Sequence, residues 1–196
     1  GMLDGVQAEA QRKSSWVKLC TCEIETLPFE VGQFDLVMAN HVLYHVASLE
    51  TGLRELARML RPQGYFLATT NSENVRVTII ELHYAALRLL GVDYEPEPPS
   101  SFSMERGVQP LEAIFGEVNV FYFADESIYP HVDDFVAQYR NIGRYRNFIA
   151  RTDIAQTVKD ELPRVFKQLV QAKVDQEGEL RVPSLMGAFV CREPRI

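Results

Sequence analysis

The feature that most constrains the fold is a strand, a helix and a second strand in close succession between Phe34 and Thr70. "FDLVMAN" (residues 34–40) is a nearly continuous apolar run, as expected of a strand covered on both faces. An amphipathic helix follows from a predicted N-cap at Ser48, and "YFLATT" (residues 65–70) is another buried strand. The pattern predicts a βαβ unit, in which two parallel strands are joined by a right-handed crossover.

The chain has 196 residues, of which 46% are hydrophobic and 24% charged, so we expect one globular domain with a sizeable core. Its net charge of −7 argues against nucleic acid or an anionic membrane surface as the main partner, because both attract a basic face. No apolar run approaches the roughly 20 residues that span a bilayer. We therefore expect a cytosolic protein with no membrane partner.

The cysteines predict structural thiols and no metal site. Cys20 and Cys22 lie two residues apart in "WVKLCTCEI" (residues 16–24), which is apolar and β-branched enough to predict a strand. Both side chains would then point to one face of that strand. A metal site would need further ligands at suitable spacing, and none lies nearby. Buried thiols are the expectation.

The rest of the sequence predicts a mixture of helices and strands around a long loop. Helices are expected over residues 73–90, 111–116, 132–142 and 154–173, the last bent or broken at Pro163, and strands over residues 118–123 and 181–192. We assign residues 14–70, 111–125 and 179–192 to the core of a single domain, and residues 71–110 and 131–175 to a helical cap that would hold the substrate. A proline-rich segment within the first part of this cap, around residues 95–106, is predicted to be a mobile flap.

The segment "EIETLPFEVGQFDLVMANHVLYHVASLETGLRELARMLRPQGYFLAT", which begins at Glu23, resembles the central part of class I S-adenosylmethionine-dependent methyltransferases. The family pattern is an acidic residue, Leu-Pro-Phe, a short turn and Phe-Asp-Leu-Val, followed by a helix and a Pro-x-Gly turn into the next strand. The resemblance implies an α/β fold: a truncated Rossmann-like sheet with helices on both faces and a helical cap. It also implies transfer of a methyl group from S-adenosylmethionine to a small-molecule acceptor.

The amino-terminal part of the family pattern has no counterpart here. That part contains a glycine-rich GxGxG loop, where the absence of a Cβ lets the backbone approach the methionine end of the cofactor. It also contains an acid that binds both ribose hydroxyls. The residues before Trp16 match neither feature, and "MLDGVQAEAQRK" (residues 2–13) resembles the helix after the family's second strand. We therefore expect that this chain alone binds S-adenosylmethionine weakly or not at all.

The family's strand order, 3-2-1-4-5-7-6, gives a prediction about assembly. Without strands 1 and 2, the strand at residues 34–40 would be an exposed apolar edge, which promotes association. Either the strand predicted at residues 16–24 closes onto it, or a second copy of the chain covers it. We predict a homodimer with residues 16–39 at or near the interface. The alternative function is accordingly a non-catalytic dimeric binding or scaffold protein derived from a methyltransferase.

The resemblance implies four cofactor-binding residues. Glu23 would accept a hydrogen bond from the adenine amine, and Ile24 would pack against the ring. Asn40 and His41 would meet the methionine part of the cofactor at the end of their strand. Ligands in open α/β sheets bind beyond the carboxyl ends of the strands, which independently supports a site there.

The remaining candidates concern the acceptor and acid–base chemistry. His45 is a weak candidate for a general base because imidazole titrates near neutral pH, and a satisfied structural histidine is the alternative. His45 follows His41 by four residues, but no third ligand is evident, so no metal site is predicted. Candidates to line a substrate pocket are Tyr44, Tyr139, Arg140 and Arg144; a solvated helix end is the alternative for the last three.

Overall fold

A computed structural model describes residues 2–13, 16–75, 77–94 and 98–195. Its helices are α1 (Met2–Arg12), α2 (Leu49–Arg58), α3 (Val77–Leu89), α4 (Val108–Glu112), α5 (Val132–Asn141), α6 (Gly143–Ala150) and α7 (Gln156–Glu177). Its strands are β1 (Phe34–Asn40), β2 (Leu60–Asn71), β3 (Phe115–Tyr129) and β4 (Leu180–Pro194). Two single turns of 3-10 helix, Ile24–Thr26 and Leu43–His45, lie before and after β1.

The four strands form one mixed sheet in the order β1-β2-β4-β3. β1 and β2 are parallel, whereas β4 is antiparallel to both β2 and β3. The side chain of Ser48 accepts a hydrogen bond from the backbone N–H of Thr51 and thereby caps α2, the helix that connects the two parallel strands. The α/β class and the parallel strand–helix–strand unit predicted from the sequence are therefore confirmed.

The first hydrophobic core lies between the sheet and the helices α2 and α4. Leu53 and Ala57 of α2 are completely buried, as is Phe66 of β2. The ring of Phe66 stacks on that of Phe115, with centroids 5.3 Å apart and planes 2° apart. Alternate residues of the central strands thus pack under the amphipathic helix, as the period of their apolar residues predicts.

A second hydrophobic core holds the cap helices together at the end of the β3–β4 pair where Tyr129 lies opposite Leu180. Phe135 and Tyr139 of α5 pack on Phe166 of α7, and the rings of Tyr139 and Phe166 are nearly parallel with centroids 3.6 Å apart. Leu180 and Val182 of β4 belong to the same cluster. The cap is therefore anchored to the strands that extend beyond the first core.

The opposite face of the sheet carries exposed apolar side chains. Leu36 and Met38 of β1 are 51% and 53% exposed, and Tyr65 of β2 lies on the same face by its pairing with Leu36. Phe121 and Phe123 of β3 are also about half exposed. Among the described residues, β1 pairs with β2 on one edge and with no strand on the other.

The predicted strand at residues 16–24 is wrong, and so is the prediction that its cysteines are buried. Residues 16–23 adopt no regular structure, Trp16 is 88% exposed, and Cys20 and Cys22 are exposed free thiols. Strand-forming residues need a neighbouring strand to satisfy their backbone groups, and no described strand lies beside this segment. Cys191 in β4 is buried, and burial raises the pKa of its thiol to about 12.

Two further predictions need correction. α7 continues through Pro163, so of the bend or break predicted there the break is wrong. Phe102, Ser103 and Met104 of the predicted flap are 1% exposed, and Phe102 and Met104 pack in the first core. The carboxyl-terminal part of that segment is therefore anchored. Residues 95–97 of the flap and residue 14, where the predicted core begins, lie outside the described residues.

Candidate functional site

A cavity of about 590 Å³, which we call cavity A, lies between the two 3-10 turns and the start of α2. Ile24, Val42 and Val46 give it apolar walls, and Glu23 and His45 contribute a carboxylate and an imidazole. The other lining residues are Cys22, Glu25, Thr26, Ala47 and Ser48. A planar heterocycle with an amine could pack against the apolar side chains and donate to Glu23.

Glu25 fixes the shape of cavity A. Its Oε1 accepts hydrogen bonds from the backbone N–H groups of Ala47 and Ser48, at 2.9 and 3.1 Å, and so ties the first 3-10 turn to the start of α2. The hydrogen bond from Ser48, with those from its own backbone and from Ala47, holds the pKa of the Glu25 carboxyl below its usual value. This carboxylate is therefore occupied in positioning the cavity wall.

A glycine lets the first 3-10 turn approach α2 closely. A Cβ placed on Gly52, in the first half of α2, would lie 3.2 Å from Cγ2 of Ile24. Arg58, near the end of α2, donates to the backbone carbonyls of Leu27 and Phe29 at 3.2 and 2.9 Å. The chain between the 3-10 turn and β1 is thus held along the whole length of α2.

A second cavity of about 520 Å³, which we call cavity B, lies beyond the carboxyl end of β2. It is lined by the end of β2 and the turn after it, by α3, and by the loop after residue 97. The lining residues are Tyr44, Thr70, Asn71, Ser72, Glu73, Asn74, Val75, Ile80, Tyr84, Pro98, Pro99, Ser100, Phe102, Ser103 and Arg144. Its volume and its mixed apolar and polar walls are typical of a small-molecule site.

The loop that covers cavity B is fastened to the end of β2. The Glu105 carboxylate accepts from the Ser72 hydroxyl and from the backbone N–H of Glu73, the latter at 2.9 Å. Arg106 pairs in turn with the Glu73 carboxylate. The backbone N–H of Met104 donates to the carbonyl of Asn71 at 3.1 Å. These contacts fix one wall of the cavity relative to the sheet.

The 3-10 turn Leu43–His45 contributes to both cavities. Tyr44 lines cavity B, and its neighbour His45 lines cavity A. The centroids of their two rings are 4.5 Å apart. Leu43, which precedes these two residues in the turn, is buried and anchors the turn to the first core. Two adjacent side chains of this turn therefore line different cavities.

Asn40 and His41 lie at the end of β1 but line neither cavity. Asn40 accepts a long hydrogen bond of 3.4 Å from the hydroxyl of Thr69. The backbone N–H of His41 donates to the carbonyl of the same threonine at 3.0 Å. His41 has φ of 49°, a left-handed conformation that is uncommon outside glycine and that turns the chain away from the strand.

The structure separates the three cap residues predicted to bind substrate. Arg144 lines cavity B, where it donates to the Tyr84 hydroxyl and has its guanidinium carbon 5.3 Å from the centroid of that ring. Tyr139 is completely buried in the second core. Arg140 lies on the other side of α5, in a surface groove with Lys167 and other charged residues.

His83 is the notable polar residue of the cap that the sequence analysis did not select. It is completely buried on α3, and its Nδ1 lies 2.7 Å from the hydroxyl of Tyr139. Its Nε2 has no hydrogen-bond partner. Burial, and then the positive charge of Arg144, lower the pKa of His83 from 6.5 to about 4. The imidazole is therefore neutral at physiological pH. The sequence feature that could have identified His83 is a histidine within an apolar helical segment.

Within the described residues, no group of three or more His, Cys, Asp or Glu side chains is arranged to hold a metal ion. No helix in the same parts of the chain is long and apolar enough to cross a membrane.

The first third of the chain is similar in sequence to known proteins. The family described as "Methyltransferase domain" matches residues 1–68. The malonyl-[acyl-carrier protein] O-methyltransferase of Legionella pneumophila is 35% identical over 65 residues, which are 32% of this chain and 23% of that protein. The protein of the same name from Enterobacter lignolyticus is 40% identical over 63 residues, which are 32% of this chain and 25% of that protein. The match to these curated relatives thus spans about a quarter of their length.

Solved structures support the same fold over most of the chain. The YcgJ protein of Bacillus subtilis superposes with a TM-score of 0.54 at 16% identity, covering 95% of this chain and 76% of that one. A structure from Bacillus halodurans assigned as a methyltransferase gives a TM-score of 0.52 at 15% identity, covering 91% and 78%. Residues 1–68 thus resemble a methyltransferase domain in sequence, and most of the chain shares its fold with these solved structures.

Proposed function

We propose that this chain provides the adenine-binding and acceptor-binding parts of an enzyme that transfers a methyl group from S-adenosylmethionine to a small molecule. The observation that carries the proposal is the pair of cavities that share the turn Leu43–His45. A donor in cavity A and an acceptor in cavity B would approach each other across Tyr44 and His45. Such an arrangement lets the protein contribute chiefly by orienting the two reactants.

Cavity A fits the adenine end of the cofactor. The Glu23 carboxylate can accept from the exocyclic amine, and Ile24 and Val46 can cover the faces of the ring. The sequence contains no G-x-G, so it offers no glycine-rich loop for the methionine end. We therefore propose that this chain alone binds the cofactor weakly and mainly through adenine. Asn40 and His41, which line neither cavity, remain candidates to contact the methionine end.

The cofactor supplies an electrophilic methyl group on a sulfonium. With the cofactor bound, a nucleophilic atom of the acceptor would bond to the methyl carbon as the carbon–sulfur bond broke, and the electron pair of that bond would stay on the sulfur of S-adenosylhomocysteine. The acceptor then loses a proton to water or to a base. His45 is a candidate for that base, although it lines the cofactor side of the turn.

The acceptor is not identified by the curated relatives. Their names specify a malonyl group on an acyl-carrier protein, but the family match ends at residue 68. Of the residues lining cavity B, only Tyr44 lies within that match, and the others begin at Thr70. The chemistry of the acceptor has to be argued from cavity B itself.

The proposal can be tested by methyl NMR of this chain with S-adenosylhomocysteine. We expect a saturable shift of the Ile24 methyl signals and a weaker one with S-inosylhomocysteine, which lacks the adenine amine. Glu23→Gln should reduce the difference between these two ligands, and Glu30→Gln, an exposed acid outside cavity A, should not. Saturable shifts confined to residues outside cavity A, or none at millimolar ligand, would reject the proposed site.

The second candidate function is a dimeric binding or scaffold protein without catalysis. It is supported by the exposed apolar face of β1 and β2, with Leu36, Met38 and Tyr65, and by the edge of β1, beside which no described strand lies. Exposed apolar surface of this kind favours association. We propose a homodimer that covers this face. Sedimentation should give a dimer at micromolar concentration, and Met38→Lys should shift it to monomer. A wild-type monomer under those conditions would reject the dimer.

A further inference from the structure

Cys20 and Cys22 are two exposed free thiols beside cavity A. A single residue, Thr21, separates them, and Cys22 lines the cavity. The next two residues along the chain, Glu23 and Ile24, line it as well. A chemical change at the thiol pair therefore acts on the segment of chain that forms one wall of the cavity.

The two thiols lie close enough to influence each other. Loss of surrounding water, and then interaction with the Cys20 thiol, raise the pKa of the Cys22 thiol. The third cysteine, Cys191, is buried in β4 and is shielded from a dissolved oxidant. Two neighbouring thiols have a high effective concentration with respect to each other, which favours a bond between them over a lasting bond to a separate molecule.

The backbone around the pair can adjust to a disulfide. Such a bond requires Cα atoms about 4.4–6.8 Å apart, whereas residues two apart in a fully extended chain are separated by up to about 7 Å. Residues 16–23 adopt no regular structure, and no backbone hydrogen bond joins residues 16–22 to another described residue. Shortening the chain between Cys20 and Cys22 therefore breaks no secondary structure.

The chain on the other side of the pair is held in place. The backbone N–H of Thr26 donates to the carbonyl of Glu23 at 3.2 Å, and the Glu25 carboxylate accepts from two backbone N–H groups at the start of α2. The 3-10 turn is thus fixed to α2. A disulfide would draw Cys22 towards Cys20 and away from this fixed turn, which changes the wall of cavity A.

We propose that Cys20 and Cys22 form a reversible intramolecular disulfide by exchange with a small-molecule disulfide of the glutathione kind, and that this bond reshapes cavity A. One protein thiolate attacks a sulfur of the small disulfide, whose S–S bond breaks, and half of that molecule leaves as a thiolate. The second protein thiolate attacks the protein sulfur of the mixed disulfide and releases the other half. The protein loses two electrons, the small disulfide is reduced to two thiols, and the two protons pass from the protein to the released thiolates.

The character of this bond suits regulation better than permanent cross-linking. An exposed disulfide across a single residue belongs to the easily reduced class. The raised pKa of Cys22 lowers its thiolate fraction near neutral pH, so the exchange should be faster at about pH 8.5 than at about pH 7. The effect on cofactor binding rests on the proposed methyltransferase function, whereas the disulfide itself does not.

The test is incubation of the whole chain with glutathione disulfide, followed by alkylation of the remaining thiols, digestion and mass spectrometry. Trypsin leaves both thiols, and no other cysteine, in the peptide of residues 19–54. We expect that peptide to escape alkylation and to weigh two hydrogens less than its dithiol form in more than about half of the chains, and to regain both with excess reduced glutathione. Cys20→Ser and Cys22→Ser should stop at the mixed disulfide, and the matched control Thr21→Ser should behave as wild type.

The methyl signals of Ile24 report whether the bond reaches the cavity. We expect them to shift on oxidation without any ligand, and the saturation curve for S-adenosylhomocysteine to move to higher concentration. Stable mixed disulfides, disulfide-linked dimers or unreacted thiols in the wild type would overturn the proposal. An intramolecular disulfide that leaves the Ile24 signals or the saturation curve unchanged, or that abolishes the folded methyl spectrum, would also overturn it.

Failure of this proposal and failure of the methyltransferase function give different results. An intramolecular disulfide that shifts the Ile24 signals, in a chain that binds no S-adenosylhomocysteine in either state, would reject the function and leave the redox pair in place. Binding of S-adenosylhomocysteine by a chain that forms no such disulfide would reject the redox pair and leave the function in place.

Discussion

Lowering the pH from about 7.5 to about 5.5 should remove about 1 kcal/mol from the free energy of unfolding through His83 alone. His83 is completely buried, and its imidazole lies against Tyr139 and the rings of Tyr94 and Phe148. Burial first, and then the charge of Arg144, lower its pKa to about 4, whereas the unfolded chain titrates near 6.5. The unfolded state therefore binds the proton more readily than the folded state between these two values.

Because of that difference, protonation at low pH lowers the free energy of unfolding. The stability that His83 contributes is fully present above pH 6.5 and is lost progressively as the pH falls from 6.5 towards 4. Over that whole window the loss reaches about 3 kcal/mol, given 1.36 kcal/mol for each pH unit between the two pKa values. Tyr139 does not titrate in this range, because burial raises the pKa of its hydroxyl.

The assay is urea unfolding at the two pH values for wild type, His83→Gln and His131→Asn. The carboxylates also titrate as the pH falls, so the informative quantity is the pH-dependent loss in wild type minus that in His83→Gln. We expect that difference to be about 1 kcal/mol. His131 is exposed, and its replacement should leave the wild-type pH dependence intact. An equal pH dependence in wild type and His83→Gln would refute the reasoning, because it would mean that His83 titrates alike in both states.

Two further predictions concern the scaffold that positions the cavities. Ser48→Ala should lower the free energy of unfolding by about 1 kcal/mol, because α2 loses its N-cap; an unchanged urea midpoint would contradict this. Gly187→Ala should cost about 1–3 kcal/mol or more, because a Cβ there would lie 2.3 Å from the Phe121 carbonyl oxygen and 2.4 Å from Cε of Met104. Gly143→Ala is the matched control, since nothing lies within 4 Å of its Cβ position, and equal stability of the two variants would contradict the steric account.

The local pattern of the sequence was sufficient to predict the βαβ unit. β1 has the bounds predicted from its apolar run, and α2 begins after the predicted cap at Ser48. Both elements are determined by residues close in the chain. The segment at residues 16–23 has equally good strand-forming residues, but none of the described strands lies beside it. Its conformation depends on pairing with distant residues, which local pattern cannot supply.

The same difference between local pattern and distant contacts explains which site residues could be selected from the sequence. Glu23 and Ile24 were placed by a motif, and the structure brings both to cavity A with His45. Tyr44 and Arg144 meet in cavity B although they are distant in sequence. The helical neighbours of Arg144 looked equally suitable, but the direction of each side chain on α5 and α6 sends Tyr139 into the core and Arg140 to another surface. The homodimer and the cytosolic location stay predictions.

The affinity of this chain for S-adenosylhomocysteine, measured by calorimetric titration, tests the central claim most directly. If cavity A binds adenine and no glycine-rich loop holds the methionine end, binding should be saturable with a dissociation constant above about 0.1 mM. The binding free energy would then be less favourable than about −5.5 kcal/mol. Glu23→Gln should weaken it further. A dissociation constant in the low micromolar range, near −8 kcal/mol, would show that this chain holds the whole cofactor and would contradict the account. A complete absence of saturable binding would contradict it from the other side.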